Sequence, residues 1–246
     1  DLGRVIQRTW STIASNAAVF FGAAVVFVGV PGVLLAFGQS QAISGGPAAE
    51  YSLLVTALGW ILQFAGVCLV QGVVIRSAAD GFNGRSTSAG QAISAGVSFV
   101  LPLLGLAIIV ALGTLLGYIL LIVPGLILSV LWVVAAPALV VEKRGVFESL
   151  QRSRDLTRGH RWSVFGLIVI YVLLAWIIAG FLGALGVAAG GSWTGQSSSL
   201  WGNILAGPAA TVLTGVVASA GLAALYQELR STKEGAGPEA LAAVFD

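Results

Sequence analysis

Six long apolar runs, at 17–38, 51–75, 97–122, 124–141, 162–189 and 200–226, divide the chain, with short polar breaks between them. Crossing the hydrocarbon core of a bilayer takes about 20 predominantly apolar residues in a helix, so each run reads as a transmembrane helix. Strict two-residue alternation is absent, and the runs are far longer than the roughly ten residues of a barrel strand, which excludes an outer-membrane β-barrel. The fold class is therefore all-α: a polytopic membrane protein with six transmembrane helices. The first run is too long for a signal-peptide core and is expected to be the first spanning helix. The chain opens at Asp1 and contains no methionine, so a longer native start is expected. Residues 1–229 are expected to form the transmembrane domain and 230–246 a short cytoplasmic tail.

One polar break does not fit a bare hairpin turn. Between the fourth and fifth runs, residues 140–165 read VVEKRGVFESLQRSRDLTRGHRWSVF. Projected at 100° per residue, Val146, Phe147, Leu150, Ser153 and Thr157 fall on one side, and Glu148, Gln151, Arg152, Asp155 and Arg158 on the other. The pattern predicts an amphipathic helix over 145–158, with Phe147 and Leu150 turned toward lipid or the bundle. It carries or adjoins Lys143, Arg144, Arg152, Arg154, Arg158 and Arg161, against Glu142, Glu148 and Asp155. An excess of basic residues at a membrane surface attracts anionic headgroups at about 1 kcal/mol per residue, so these six are the candidate contacts for lipid headgroups or a partner protein.

The charge distribution also sets an orientation. All 12 Lys and Arg residues fall before the first run, between the second and third, between the fourth and fifth, or after the sixth. The alternate loops, 39–50, the turn near Val123, and 190–199, contain none. Basic residues concentrate in cytoplasmic loops, so both termini and the charged island are expected to face the cytoplasm. Glu50 is the formal charge on the opposite face, and Trp193 and Trp201 are placed to sit at headgroup level there.

An internal repeat refines the architecture. RVIQRTWSTIASNAAVFFG, before and into the first run, slides by 144 positions onto ESLQRSRDLTRGHRWSVFG without a gap. Gln7 and Arg8 meet Gln151 and Arg152, Thr9 meets Ser153, and Phe21 and Gly22 meet Phe165 and Gly166. A weaker third copy, SAGQAISAGVSFVLPLLG, precedes the third run. Each copy is read as a short cytoplasmic interfacial helix followed by a transmembrane hairpin, giving three hairpins in parallel orientation, one of the repeat architectures known in membranes.

Composition narrows the chemistry. The chain is 57% hydrophobic and 9% charged, with a mean hydropathy of +0.97, where a soluble domain would carry about 25% charged residues. A single cysteine, Cys68, excludes an intrachain disulfide framework or thiolate metal cluster and reads as a packing residue. The single histidine, His160, lies at the membrane interface without a recognisable catalytic or metal-binding set around it. No HExxH, GxSxG or phosphate-cradling Gly-Lys-Ser/Thr motif is present, so no cofactor and no nucleic acid is expected.

None of the six runs has an interior charge of the kind that marks ion or proton paths. Gln63 and Gln71, in the second run, are the candidates for a pathway or for interhelical hydrogen bonds. Gly113 and Gly117 in the third run, and Gly180 and Gly183 in the fifth, are candidate close-packing positions. Pro31, Pro102, Pro137 and Pro208 are expected to bend or end their helices.

Around the island the sequence resembles the bacterial glycerophosphoryl diester phosphodiesterase membrane domain family and related membrane proteins of unknown function. The residues that carry the resemblance are Pro124, Gly125, Pro137, Glu142, Arg152, Ser153, Leu156, Thr157, Gly159 and Phe165, with Arg8, Trp10 and Asn16 at the start. Arg154 departs from the aromatic residue usual after the Arg-Ser pair. In fused relatives a separate soluble domain carries the phosphodiesterase chemistry, and this chain lacks one, so the resemblance implies a membrane module without that activity. It also implies a multi-pass protein of the bacterial inner membrane. Two functions stay open on the residues: a non-enzymatic module that contacts lipid or serves as an accessory subunit of a larger membrane complex, and a carrier or channel for a lipidic or uncharged solute.

Overall fold

A computed structural model describes residues 2–44, 49–85, 88–189 and 204–235, and among these it is almost entirely helical with no strand. In chain order the helices are α1 (Leu2–Ala24), a π-helical segment (Val25–Gly29), α2 (Val30–Ser44), α3 (Ala49–Phe82), α4 (Ala89–Leu120), α5 (Ile122–Trp132), α6 (Ala135–Glu142), α7 (Val146–Thr157), α8 (Arg161–Ala188) and α9 (Ala206–Glu234). Among the described residues six segments are long and apolar enough to span: Gly3–Ala42, Glu50–Phe82, Ala89–Leu120, Ile122–Glu142, Arg161–Ala188 and Ala206–Glu234. They coincide with the six apolar runs. Trp193, Trp201 and residues 236–246 of the expected tail lie outside the described residues.

Helix α3 is the central strut, packed against α1, α2, α4, α6 and α9. Its approach to α1 and α2 depends on missing side chains. Pro31 has no N–H to offer the carbonyl of Phe27, and the ladder there widens so that Val30 N–H donates to Val25 O. The backbone of α3 lies on that carbonyl: a Cβ at Gly66 would stand 1.7 Å from Phe27 O. Gly38 and Gly59 close the same interface, against Thr56 and Leu35. Gly113 and Gly117 do so between α4 and α5, where a Cβ would meet the Trp132 ring at 2.5 Å and Gly125 Cα at 2.9 Å.

The fifth span behaves differently. Helix α8 packs mainly on α9 and touches α5, and most of its surface is open. Gly180 is exposed, with nothing within 4 Å of an ideal Cβ, so among the described residues it has no packing partner of the kind composition suggests. Gly183 is half-buried.

Dihedrals and burial support the repeat. Inside α1 the helix breaks at Asn16 (φ −130°, ψ 21°). In the second copy α7 ends, and α8 starts after His160 (φ −121°, ψ 15°), the residue 144 positions on. Buried positions fall in the same register: Val5, Thr12, Ile13 and Phe20 in the first copy, and Ser149, Leu156, Thr157 and Val164 in the second. The first part of α1 is thus the counterpart of α7, differing in that the chain runs on into the membrane as a kinked helix. The third copy has no such break, since α4 is continuous from its Ser88 cap.

Candidate functional site

The residues that carry charge gather at one end of the bundle, and helix α7 organises them. Pro137 removes the N–H that would bond Val133, and its ring crowds that carbonyl. The fourth span accordingly separates into α5 and α6 at Val133 and Val134, leaving backbone groups without helical partners. Ser153, fully buried on α7, supplies them: its Oγ donates to Leu131 O at 2.7 Å and accepts from Val134 N–H at 3.2 Å. A single hydroxyl therefore docks the surface helix into the break of a spanning one.

Charge fixes the same helix from the other side. Arg152 Nε donates to Glu142 Oε1 at 2.8 Å, and its outer nitrogen pairs with Glu234. Tyr226, on α9, donates its hydroxyl to the same Glu142 oxygen at 2.6 Å, and Arg144 pairs with the other. Arg230 holds Glu234 at 2.7 Å, and Lys233 donates to the carbonyl of Asp155. Burial alone would lower the Arg152 pKa, but the hydrogen bonds and charges of Glu234 and Glu142 outweigh it and raise it. Arg152 stays charged as the bolt between α6, α7 and α9. The first copy has its own version: Arg4 and Arg8 pair at 3.2 and 3.1 Å with Glu228 of α9, whose side chain is 5% exposed.

Of the six island cations singled out from the sequence, Arg144 and Arg152 are thus engaged inside the protein. Lys143, Arg154, Arg158 and Arg161 are exposed. The packed face of α7 is Ser149, Leu150, Ser153, Leu156 and Thr157. Leu150 lies in it as expected, but Phe147 is 74% exposed. The projection placed Phe147 with the packed set because it lacked the direction of the bundle, which Ser149 and Leu156 define.

The exposed side of α7 has a pattern of its own. Residues 147, 154 and 158 fall within about 40° of one another at 3.6 residues per turn, so Phe147, Arg154 and Arg158 form one stripe. It leads to Arg161 and to Trp162, which is 87% exposed and meets Phe165 edge-to-face at 6.2 Å. Trp10, the repeat counterpart of Arg154, is also exposed, at 73%.

The remaining candidates lie elsewhere. Gln63 Oε1 is buried without a hydrogen-bond partner among the described residues, near Gly32 and Pro208 where the kinked α2 and α9 meet. Gln71 is half-buried. Cys68 is buried. His160 precedes α8 with Nδ1 buried and without a hydrogen-bond partner among the described residues. Among the described residues no three His, Cys, Asp or Glu side chains are grouped to hold a metal.

Six apolar helices with a charged cap at one end define a multi-pass membrane protein. The family model of a domain of unknown function (DUF7847) matches residues 89–229, more than half of the chain, and the protein belongs to that family. It is also similar to a UPF0259 membrane protein of Pectobacterium carotovorum subsp. carotovorum, 31% identical over 121 residues, or 49% of this chain and 48% of that protein. The chain spans about half the length of this curated relative. No solved structure matches it.

Proposed function

We propose that the protein is a non-enzymatic membrane module that acts through contact with anionic lipid headgroups at its basic end, and that this end faces the cytoplasm of a bacterial inner membrane. The observation that carries the reading is the exposed stripe of Phe147, Arg154 and Arg158 running into Arg161 and Trp162. Aromatic rings prefer the headgroup level, and basic residues beside them attract anionic lipid. Arg154, Arg158 and Arg161 make no ion pair among the described residues, whereas Arg144 and Arg152 are taken up by Glu142. The resemblance to the glycerophosphoryl diester phosphodiesterase membrane domain family belongs to this proposal. Pro137, Glu142, Arg152 and Ser153 seat the surface helix, so the shared feature is a mounting for α7.

The test is native mass spectrometry of the purified protein with phosphatidylglycerol or phosphatidylcholine. Replacing Arg154, Arg158 and Arg161 by Gln should weaken phosphatidylglycerol retention by up to about a hundredfold, at roughly 1 kcal/mol per charge, and leave phosphatidylcholine unaffected. Unchanged retention of both lipids would overturn the reading. Loss of a stoichiometric protein instead of lipid would replace it with a role as an accessory subunit.

A further inference from the structure

At the basic end, the α1–α9 and α6–α7–α9 junctions are closed by arginines on glutamates of neighbouring helices, Glu228 buried and Glu142 half-buried. The junction between α3 and α4 is not. A pocket of about 440 Å³ opens there, lined by Arg76, Arg85 and Lys143. The one carboxylate on its wall, Asp80, is already held by Arg76 at 3.1 Å, so three cations face one anion. Neither Arg85 nor Lys143 has an ion pair among the described residues. Gln91 and Ser98 add neutral polar groups, and Phe99 an apolar wall.

Two features of the chain place this charge. Gln91 matches Gln7 and Gln151 of the other two copies, and Ala92 stands where they carry Arg8 and Arg152, so α4 brings no arginine to pair with a carboxylate. Lys143 follows the end of α6 with φ 52°, and it is the one non-glycine residue at positive φ among those described. Such a conformation costs an L-residue free energy that glycine would not incur, and strain of this kind points toward a use for the side chain.

We infer that the pocket between α3, α4 and the end of α6 is a binding site for a phosphate-bearing anion, taken from the headgroup of a phospholipid. Phosphate accepts several charge-assisted hydrogen bonds at once, and the two uncompensated charges here match one such group. The lipid source is favoured by α4 itself: beside the pocket, Val97 and Leu101 are 57% and 80% exposed, a surface on which acyl chains can lie. The site rests on the reading that the basic end contacts anionic lipid, and it adds a defined position apart from the α7 stripe.

The test uses the full chain in nanodiscs and compares wild type, Arg85→Gln, Lys143→Gly, the double variant and the α7 triple variant, all checked for folding by circular dichroism. Phosphatidylglycerol retention should fall about fivefold for each pocket cation removed, and Arg85→Lys should retain the wild-type value. In a second arm, inorganic phosphate and glycerol 3-phosphate are titrated at constant ionic strength in phosphatidylcholine nanodiscs. Protection from thermal unfolding that the double variant loses, without any change in lipid retention, would overturn the lipid source. If the double variant equals wild type in both arms while the α7 triple variant loses lipid, the pocket is overturned and the stripe stands. If neither set changes anything, both readings fall.

Discussion

The three junctions at the basic end make a natural comparison because the sequence matches set one position of each beside the others. Where the repeat places arginine, at 8 and 152, the side chain reaches a buried or half-buried carboxylate on another helix. Where the third copy has Ala92 after Gln91, α4 brings no arginine, Arg85 and Lys143 have no ion pair among the described residues, and a pocket remains. Basic residues that look equivalent along the sequence therefore divide into those that hold helices together and those left for an external anion. The division follows from whether a glutamate lies within reach.

Breaking a closed junction should have the largest effect. Arg152→Gln leaves Glu142 and Glu234 without their shared cation, and removing one partner of a buried pair typically costs about 3–5 kcal/mol. Arg144 and Tyr226 remain on Glu142, and Glu234 is partly exposed, so the lower end, about 3 kcal/mol, is expected. The measurement is the melting temperature of the purified protein in detergent. Adding Glu142→Gln should recover part of the loss, since the second substitution removes the charge the first has stranded. If Arg152→Gln melts with the wild type, α7 is not bolted by charge.

Ser153 tests the mounting itself. Ser153→Ala leaves Leu131 O and Val134 N–H unsatisfied inside the protein, a loss of about 1–3 kcal/mol. Its repeat counterpart Thr9 bonds, among the described residues, only the Val5 carbonyl of its own helix, at 2.7 Å, so Thr9→Ala should change stability by no more than about 0.5 kcal/mol. Equal effects at the two positions would show that the repeat copies are mounted in the same way.

How much of this was legible in the sequence follows from how local each feature is. The six spans and α7 were, because length and apolar periodicity are properties of contiguous residues. The repeat was visible as a run of matches, and the backbone breaks at Asn16 and His160, 144 positions apart, fall in its register. Arg152 reads like any other island cation, because its partners lie at Glu142 and Glu234, 10 and 82 residues away. Phe147 was grouped with the packed residues, though it is exposed, because a projection gives relative angles but not which direction the bundle occupies. Gly113 and Gly117 were recognisable from their spacing of four, whereas Gly38, Gly59 and Gly66 carry the α2–α3 approach without that spacing. The equally suggestive glycines of α8 include Gly180, which faces open space, since small residues alone do not say whether a neighbour is present. The α3–α4 pocket depends on an absence, the alanine at 92 where the other copies carry arginine, and has meaning only against the two junctions that are filled.

The smallest effect gives the sharpest contrast between the open junction and the closed ones. Lys143 occupies a left-handed conformation that costs an L-residue about 1–2 kcal/mol and glycine much less. It makes no ion pair among the described residues that its removal would break. Lys143→Gly should therefore raise stability by about 1 kcal/mol, with part of the gain offset because glycine also gains freedom in the unfolded chain. The melting temperature should rise while phosphatidylglycerol retention falls. Arg152→Gln runs the other way in stability, so the two substitutions separate a cation that builds the fold from one held at a cost to it. A lower melting temperature for Lys143→Gly would mean that the lysine stabilises the end of α6, and its strained backbone would no longer argue for a ligand.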